Sequence, residues 1–390
     1  MPNRNRVIYQ SEALAVGPTS ATGQHFKQFA AESIYSGANL LTGLYRIQNC
    51  NYSFNISRTP VNQFGELAAI DRVILDTPTV NLSFGYLLAN AWNERALGLV
   101  VDGTLPALSG ILNRVQDDKN YFLKITPEGS DAVGNSVNTV DTAVVGFGNG
   151  YLTSYSTKAA INSFPMVDIG VTALNMTFAT GTSGTLPAIT PADGTRITQY
   201  NYDFPTVVSS PGTGLLDVSA LRPGDILIDL RQRDADDEAN LSNATAVYST
   251  AGVNISNAKI QSYNLSFSLG REPLQKLGSK FAFSREITFP IDVSLSLDAI
   301  VGDLTTGTLS DFINCDQSYD ITISLKQPVC PGNAQPVMMR YALRNARLNS
   351  QSFSSSIGSN KTVSLEFASQ IGGPSQSTVG LFMSGVVAVQ

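Results

Sequence analysis

The stretch IQNCNYSFNISRTPVNQFG, residues 47–65, returns as IQSYNLSFSLGREPLQKLG, residues 260–278, and this pair decides how the chain is organised. Extended without a gap, Ile47–Tyr86 lies on Ile260–Ala299 at a constant offset of 213, and 14 of the 40 paired positions are identical. Among them are Phe54/Phe267, Arg58/Arg271, Ala69/Ala282 and Arg72/Arg285. The chain therefore holds two copies of one unit. Each copy opens with an alternation of period two. Tyr52, Phe54 and Ile56 interleave with Asn51, Ser53, Asn55 and Ser57, and Tyr263, Leu265, Phe267 and Leu269 interleave with Ser262, Asn264, Ser266 and Ser268. That period predicts an amphipathic strand with one face buried.

The copies stay in step further along. Tyr121 and Ile125 answer to Tyr319 and Ile323 at an offset of 198, and Leu152, Ser154 and Val167 answer to Leu348, Ser350 and Val363 at an offset of 196. Copy one is thus longer by roughly 15 residues between Tyr86 and Leu108. The order expected in both halves is a strand, a long connection (58–77 and 271–290), a strand, a short helix (108–116 and 307–314), then further strands. The long connection reads as a hairpin extension or loop, with a short helix at GELAAID as the alternative in copy one. The expected division is an N-terminal arm (1–44), copy one (45–179), a linker with intervening strands (180–257), copy two (258–370) and a C-terminal arm or strand (371–390). The expected fold class is mainly β, two tandem homologous sandwich-like or barrel-like domains.

Of the 390 residues 43% are hydrophobic and only 14% are charged, against about 25% charged in a typical domain. Uncharged polar groups cost less to desolvate than ions, so such a surface suits burial against other subunits. A net charge of −6 argues against tight nucleic-acid binding through a basic patch. No apolar run reaches the roughly 18 residues of a membrane helix. The opening MPNRNRVIYQSEALAVG carries no apolar signal-peptide core, so folding in a cytoplasm is expected.

Chemistry-bearing residues are sparse. His25 is the only histidine and reads as a surface or interface residue, which leaves Ser-His-Asp catalysis and paired-histidine metal sites without a basis. The acidic run Asp234, Asp236, Asp237 and Glu238 lacks the glycine and the closing glutamate of a calcium loop. GFGNG at 146–150 lacks a following helix to receive a phosphate and reads as a turn before the Tyr151 strand. Cys50, Cys315 and Cys330 form no disulfide framework and read as small buried hydrophobes. No cofactor, metal or catalytic group is expected. What does recur is Arg58/Arg271 and Arg72/Arg285, bracketing the long connection in both copies. They either pin the base of that connection or pair with acids of a neighbouring subunit, a task suited to the planar multi-donor head of arginine.

The order of strand, long loop, strand, short helix and strands resembles bacteriophage tail tube proteins, and the duplication resembles those that carry two tube domains on one chain. The resemblance is clearest in 47–86 and 260–299. It implies strands that join those of neighbours into a continuous barrel around a bore, in trimeric rings of pseudo-sixfold symmetry. It implies rings that stack through the long loops and terminal arms. The implied partners are other copies of the chain, the tape-measure protein and double-stranded DNA in the bore, and the tail terminator and baseplate or tail-tip proteins. The implied location is the virion tail, assembled in the host cytoplasm. Other readings are a capsid decoration or tail-tip protein of sandwich type, a soluble carbohydrate-binding or enzyme domain, and an outer-membrane barrel.

Overall fold

The alternating stretches of both copies become antiparallel strands, and the fold is mainly β. The computed structural model describes residues 11–19, 41–113, 117–128, 131–132, 142–180, 220–233, 249–250, 253–254, 259–301, 318–328, 335–358 and 360–387. His25, the acidic run at 234–238, Cys315, Cys330 and the helix expected at 307–314 lie outside the described residues.

In chain order the strands begin with β1 (Glu12–Pro18) and β2 (Thr42–Gly43). Copy one comprises β3 (Ile47–Asn55), β4 (Thr59–Val61), β5 (Asp71–Val73), β6 (Thr79–Leu87), the short helix α1 (Trp92–Ala96), β7 (Asp102–Pro106), the short helix α2 (Ser109–Leu112), β8 (Asp118–Ile125), β9 (Ala143–Ala160), β10 (Met166–Ala173) and β11 (Asn175–Thr180). Then come β12 (Ile226–Arg233), β13 (Ser249–Thr250) and β14 (Val253–Asn254). Copy two comprises β15 (Lys259–Ser268), β16 (Arg271–Leu274), β17 (Ser284–Ile287), β18 (Ile291–Ile300), β19 (Ser318–Lys326), β20 (Val337–Ser354), β21 (Thr362–Ile371) and β22 (Gly380–Gly385).

The pairing repeats, but β8 lies on β19 at an offset of 200 and not at the 198 expected from Tyr121 and Tyr319: Lys119 and Tyr319 face Gly150 and Ala346, and Asn120 and Asp320 hold the equivalent bulges. Copy one runs β1-β8-β9-β10-β6-β3 and copy two runs β12-β19-β20-β21-β18-β15, every neighbour antiparallel. β11 flanks the first half of β9, as β22 flanks the first half of β20. The first half of β9 is buried on both faces, whereas its second half alternates buried and exposed. A strand covered on both sides loses its alternation, which is why this half carried no periodic signal. The core is shared, one cluster that includes Phe84 and Ile169 of copy one with Phe267, Leu295 and Leu365 of copy two.

Residues 12–18, read as part of an arm, form a strand against β8 in which Leu14, Ala15 and Val16 are all buried; three adjacent buried residues show no period. GFGNG is not a turn but the inside of β9, where Gly150 lies so close to Tyr121 that a Cβ would meet that ring at 2.8 Å. A bulge sits beside it, with Asn149 at φ 50° and its N–H donating to Asn120 Oδ1 at 2.9 Å. Copy two repeats the device with Asn345 at φ 53° and its N–H on Asp320 Oδ1 at 2.9 Å. Asparagine tolerates the left-handed region that such a bulge demands. The long connections are the hairpins that the first of the two expected readings gave them, β4 on β5 and β16 on β17, and the alternative helix at GELAAID does not form. Of the helix expected at 108–116 the described residues form α2, and 114–116 lie outside the described residues. The extra stretch of copy one supplies α1 and β7, which the sequence did not announce. No helix among the described residues is long and apolar enough to cross a membrane.

Candidate assembly interface

The two copies meet edge to edge. The last half of β9 takes β10 on one side and β15 on the other, in register from Ser262 opposite Ala160 to Ser268 opposite Ser154. The Leu269 N–H donates to the Thr153 carbonyl at 2.7 Å, and the Ile161 N–H donates to the Gln261 carbonyl at 3.0 Å. Those bonds make 263, 265 and 267 the hydrogen-bonded positions of the ladder, and 262, 264 and 266 the close, non-bonded ones. The inward side chains of β15 vanish from solvent, with Leu265 1% and Phe267 3% exposed. Phe267 stacks on Tyr155 with ring centroids 5.3 Å apart and planes 8° from parallel. On the outer face Ser156 donates to Asn264 Oδ1 at 3.0 Å.

The hairpin that follows β15 folds over the same joint. Arg271 donates from Nε to the Leu152 carbonyl at 3.0 Å and from Nη1 to the Arg285 carbonyl at 3.2 Å, and its Nη2 forms an ion pair with Asp117 at 2.7 Å. Its guanidinium lies over the Tyr151 ring, 5.1 Å from the centroid. Burial pushes the Asp117 carboxyl up, and the facing guanidinium only partly offsets this. Ala282 is buried with Tyr151 and Leu174, and Arg285 is buried as well. Leu152 can offer its carbonyl because β9 bulges at Thr153, between Leu152 opposite Val171 and Ser154 opposite Gly170.

A polar knot closes the core beneath the joint. Tyr86 donates to Glu94 Oε1 at 2.7 Å, Tyr155 donates to the same oxygen at 3.3 Å, and the Tyr341 hydroxyl lies 2.8 Å from that of Tyr155. Glu94 comes from α1 in the extra stretch of copy one, and it ties β6 and β9 to β20 of copy two. Burial raises its carboxyl to about 7, while the two tyrosine hydroxyls pull the other way.

The same elements stand open elsewhere. Among the described residues β3, the counterpart of β15, pairs only with β6 and ends the sheet. Its Phe54, identical to Phe267, is 60% exposed, and Tyr52, the counterpart of Leu265, is 38% exposed. Residues 350–356 are the counterpart of the β9 half that accepts β15; 350–354, the end of β20, have β21 on one side and no strand on the other among the described residues. There Phe353 is 46% exposed. Of the four arginines singled out in the sequence, Arg271 and Arg285 are enclosed at the in-chain joint, and Arg58 and Arg72 are exposed on the first hairpin. The structure brings the second pair together, and among the described residues no element covers the first. Glu94 and the Tyr155–Phe267 stack were missed by the sequence reading, since nothing periodic marks them. Cys50 is half-buried against the core, where burial pushes its thiol up to about 12.

The fold is that of a mainly antiparallel β protein with two open edges among the described residues, which are the counterparts of the two strands joined within the chain. No protein-family model and no curated protein matches the chain. Among solved structures it is similar to a chain of the anti-feeding prophage baseplate, 6-fold symmetrised, at 15% identity and a TM-score of 0.26 over 46% of this chain and 99% of that one. It is also similar to a chain of the virion of a native gene transfer agent particle, at 13% identity and a TM-score of 0.23 over 42% of this chain and 99% of that one. A chain from the tail of an empty gene transfer agent particle, solved with C6 symmetry, matches at 12% identity and a TM-score of 0.24 over 40% and 96%.

Proposed function

We propose that the chain is a virion structural protein that joins edge to edge into closed trimeric, pseudo-hexameric rings, which stack as the tail tube through which the tape-measure protein and DNA pass. The reading carries no catalytic step. The observation behind it is that the two open edges, β3 and 350–356, are the counterparts of the two strands already joined inside the chain. A second chain offering 350–356 to β3 repeats the backbone pairing of the in-chain joint, so copies alternate around a ring with one ladder geometry. Open edges are aggregation liabilities in a monomer and become joints in a ring.

The hydrophilic face of the sheet suits a bore. Ser156, Asn264, Ser266, Ser294 and Ser296 share it with the carboxylates of Asp168, Asp292, Asp298 and Glu366, while Lys158 is held by Asp168 at 2.7 Å. Such a face offers phosphates few cations to hold them, so DNA slides past. The hairpin tips stand clear of the sheets, with Phe64, Leu67 and Leu277 fully exposed, and supply the ring-to-ring contact.

Negative-stain microscopy of the purified full chain tests the reading. Hollow tubes or stacked rings are the expected result. Isolated trimers under every condition favour a capsid decoration or tail-tip protein, and a monodisperse monomer or dimer overturns ring assembly altogether.

A further inference from the structure

The in-chain joint specifies more than the existence of a contact between chains, because it fixes a register. Carried through the offsets of 213 for β15 onto β3 and 196 for β9 onto β20, the ladder runs from Asn49 opposite Ser356 to Asn55 opposite Ser350. We propose that β3 of one chain adds to residues 350–356 of a second copy in this register. The first hairpin then closes over that copy, Arg58 donating to its Leu348 carbonyl as Arg271 donates to Leu152. The proposal rests on the ring-forming reading above and names the residues of its joint.

Three observations carry it. The first is the receiving backbone. β20 bulges at Asn349, between Leu348 opposite Phe367 and Ser350 opposite Glu366, at the position where β9 bulges at Thr153. Copy two therefore presents the same pair of carbonyls, Leu348 for the arginine and Asn349 for the Ile56 N–H, that Leu152 and Thr153 present to Arg271 and to the Leu269 N–H. The second is side-chain matching. The register sets exposed Tyr52 against exposed Phe353 on the apolar side, an aromatic cross-strand pair. On the polar side it sets Asn51, Ser53 and Asn55 against Ser354, Ser352 and Ser350. Neither edge segment carries a charge or a proline, the usual guards of a free edge. A slip of one residue turns the aromatics toward the polar face.

The third observation is what the two copies keep in common. Phe267, Arg271, Ala282 and Arg285 are all enclosed at the in-chain joint, and Phe54, Arg58, Ala69 and Arg72 are the same four residues, all exposed within the chain. A shared joint accounts for both sets. Three contacts change: the counterpart of Tyr155 is Gln351, so Phe54 meets an amide side chain where Phe267 meets a ring; the counterpart of Tyr151, whose ring lies under Arg271, is Arg347; and no acid stands at the counterpart of Asp117, so Arg58 is left with the Leu348 carbonyl as its acceptor.

Cysteine pairs read the register directly. Ser53 and Ser352 fall at a non-hydrogen-bonded pair, whose close Cα atoms accept a disulfide. Full-length Ser53→Cys/Ser352→Cys protein, oxidised after assembly, is expected to give dimers and closed trimers on a non-reducing gel. Ser53→Cys/Ser354→Cys protein and each single variant are expected to stay at the level of the wild-type chain. In parallel, Arg58→Ala is expected to raise the concentration needed for assembly at least tenfold without lowering the unfolding midpoint of the dissociated chain, and Arg58→Lys to recover part of the loss. Rings by microscopy together with crosslinks in the 53/354 pair, or with none in the 53/352 pair, overturn the register and leave the ring reading standing. Unchanged assembly of Arg58→Ala overturns the hairpin clamp. Absence of both rings and crosslinks overturns the joint and the ring reading together.

Discussion

Phe54 and Phe267 hold the same place in two copies of one strand, yet the first is 60% exposed and the second 3% exposed. The same contrast separates Arg58 from Arg271, the one on an open hairpin and the other bound to Asp117 and the Leu152 carbonyl. What differs is not the strand but whether another strand lies along its edge. On the proposed joint, copy two shows what copy one becomes once another strand lies along β3.

The largest test of this contrast is truncation of the two phenylalanines. Phe267→Ala is expected to cost about 4 kcal/mol of chain stability by denaturant unfolding, because it leaves a cavity under Tyr155. Phe54→Ala is expected to stay within about 0.5 kcal/mol while abolishing assembly in a sedimentation experiment. Equal stability losses in the two variants break the comparison. Next comes Arg271→Ala, expected to cost about 3 kcal/mol by unfolding, since it strands the Asp117 carboxylate in a site where that side chain is 16% exposed. The double variant with Asp117→Asn is expected to recover part of the loss.

The smallest effect belongs to the knot between the copies. Burial raises the Glu94 carboxyl from 4.5 to about 7, so the folded chain holds its proton through a window in which the unfolded chain has lost it. Stability from this group is present below that window and falls as pH rises across it, by about 2 kcal/mol after local relaxation. Glu94→Gln keeps an acceptor for Tyr86 and is expected to flatten the slope of unfolding midpoint between pH 5 and pH 8. A slope unchanged from that of the wild-type chain would place the pH dependence elsewhere.

Much of the sheet was legible because its signal is local. In β15 and β18 one face meets the core and the other meets water, and that asymmetry writes a period of two into consecutive residues; β3 carries the same period with its Tyr52 and Phe54 exposed. Strands covered on both faces wrote none, which is why β1 passed for an arm and GFGNG in β9 for a turn. The arginines were legible as a repeated pair and not as a pair with two fates, since exposure depends on a neighbour that sequence spacing does not encode. α1 was invisible for the same reason, as five residues carry too little periodicity and Glu94 acquires its meaning only from Tyr86, Tyr155 and Tyr341.

By itself, the sequence determined that one unit occurs twice, that its strands are amphipathic, and that the same two arginines bracket the hairpin in each copy. Tertiary structure alone decided that β15 of the second copy lies on β9 of the first, and so which edges are spent and which stay open. The physical reason is that side-chain patterning is set residue by residue, whereas an edge is open or closed according to which strand, distant in the chain, reaches its unpaired N–H and C=O groups first.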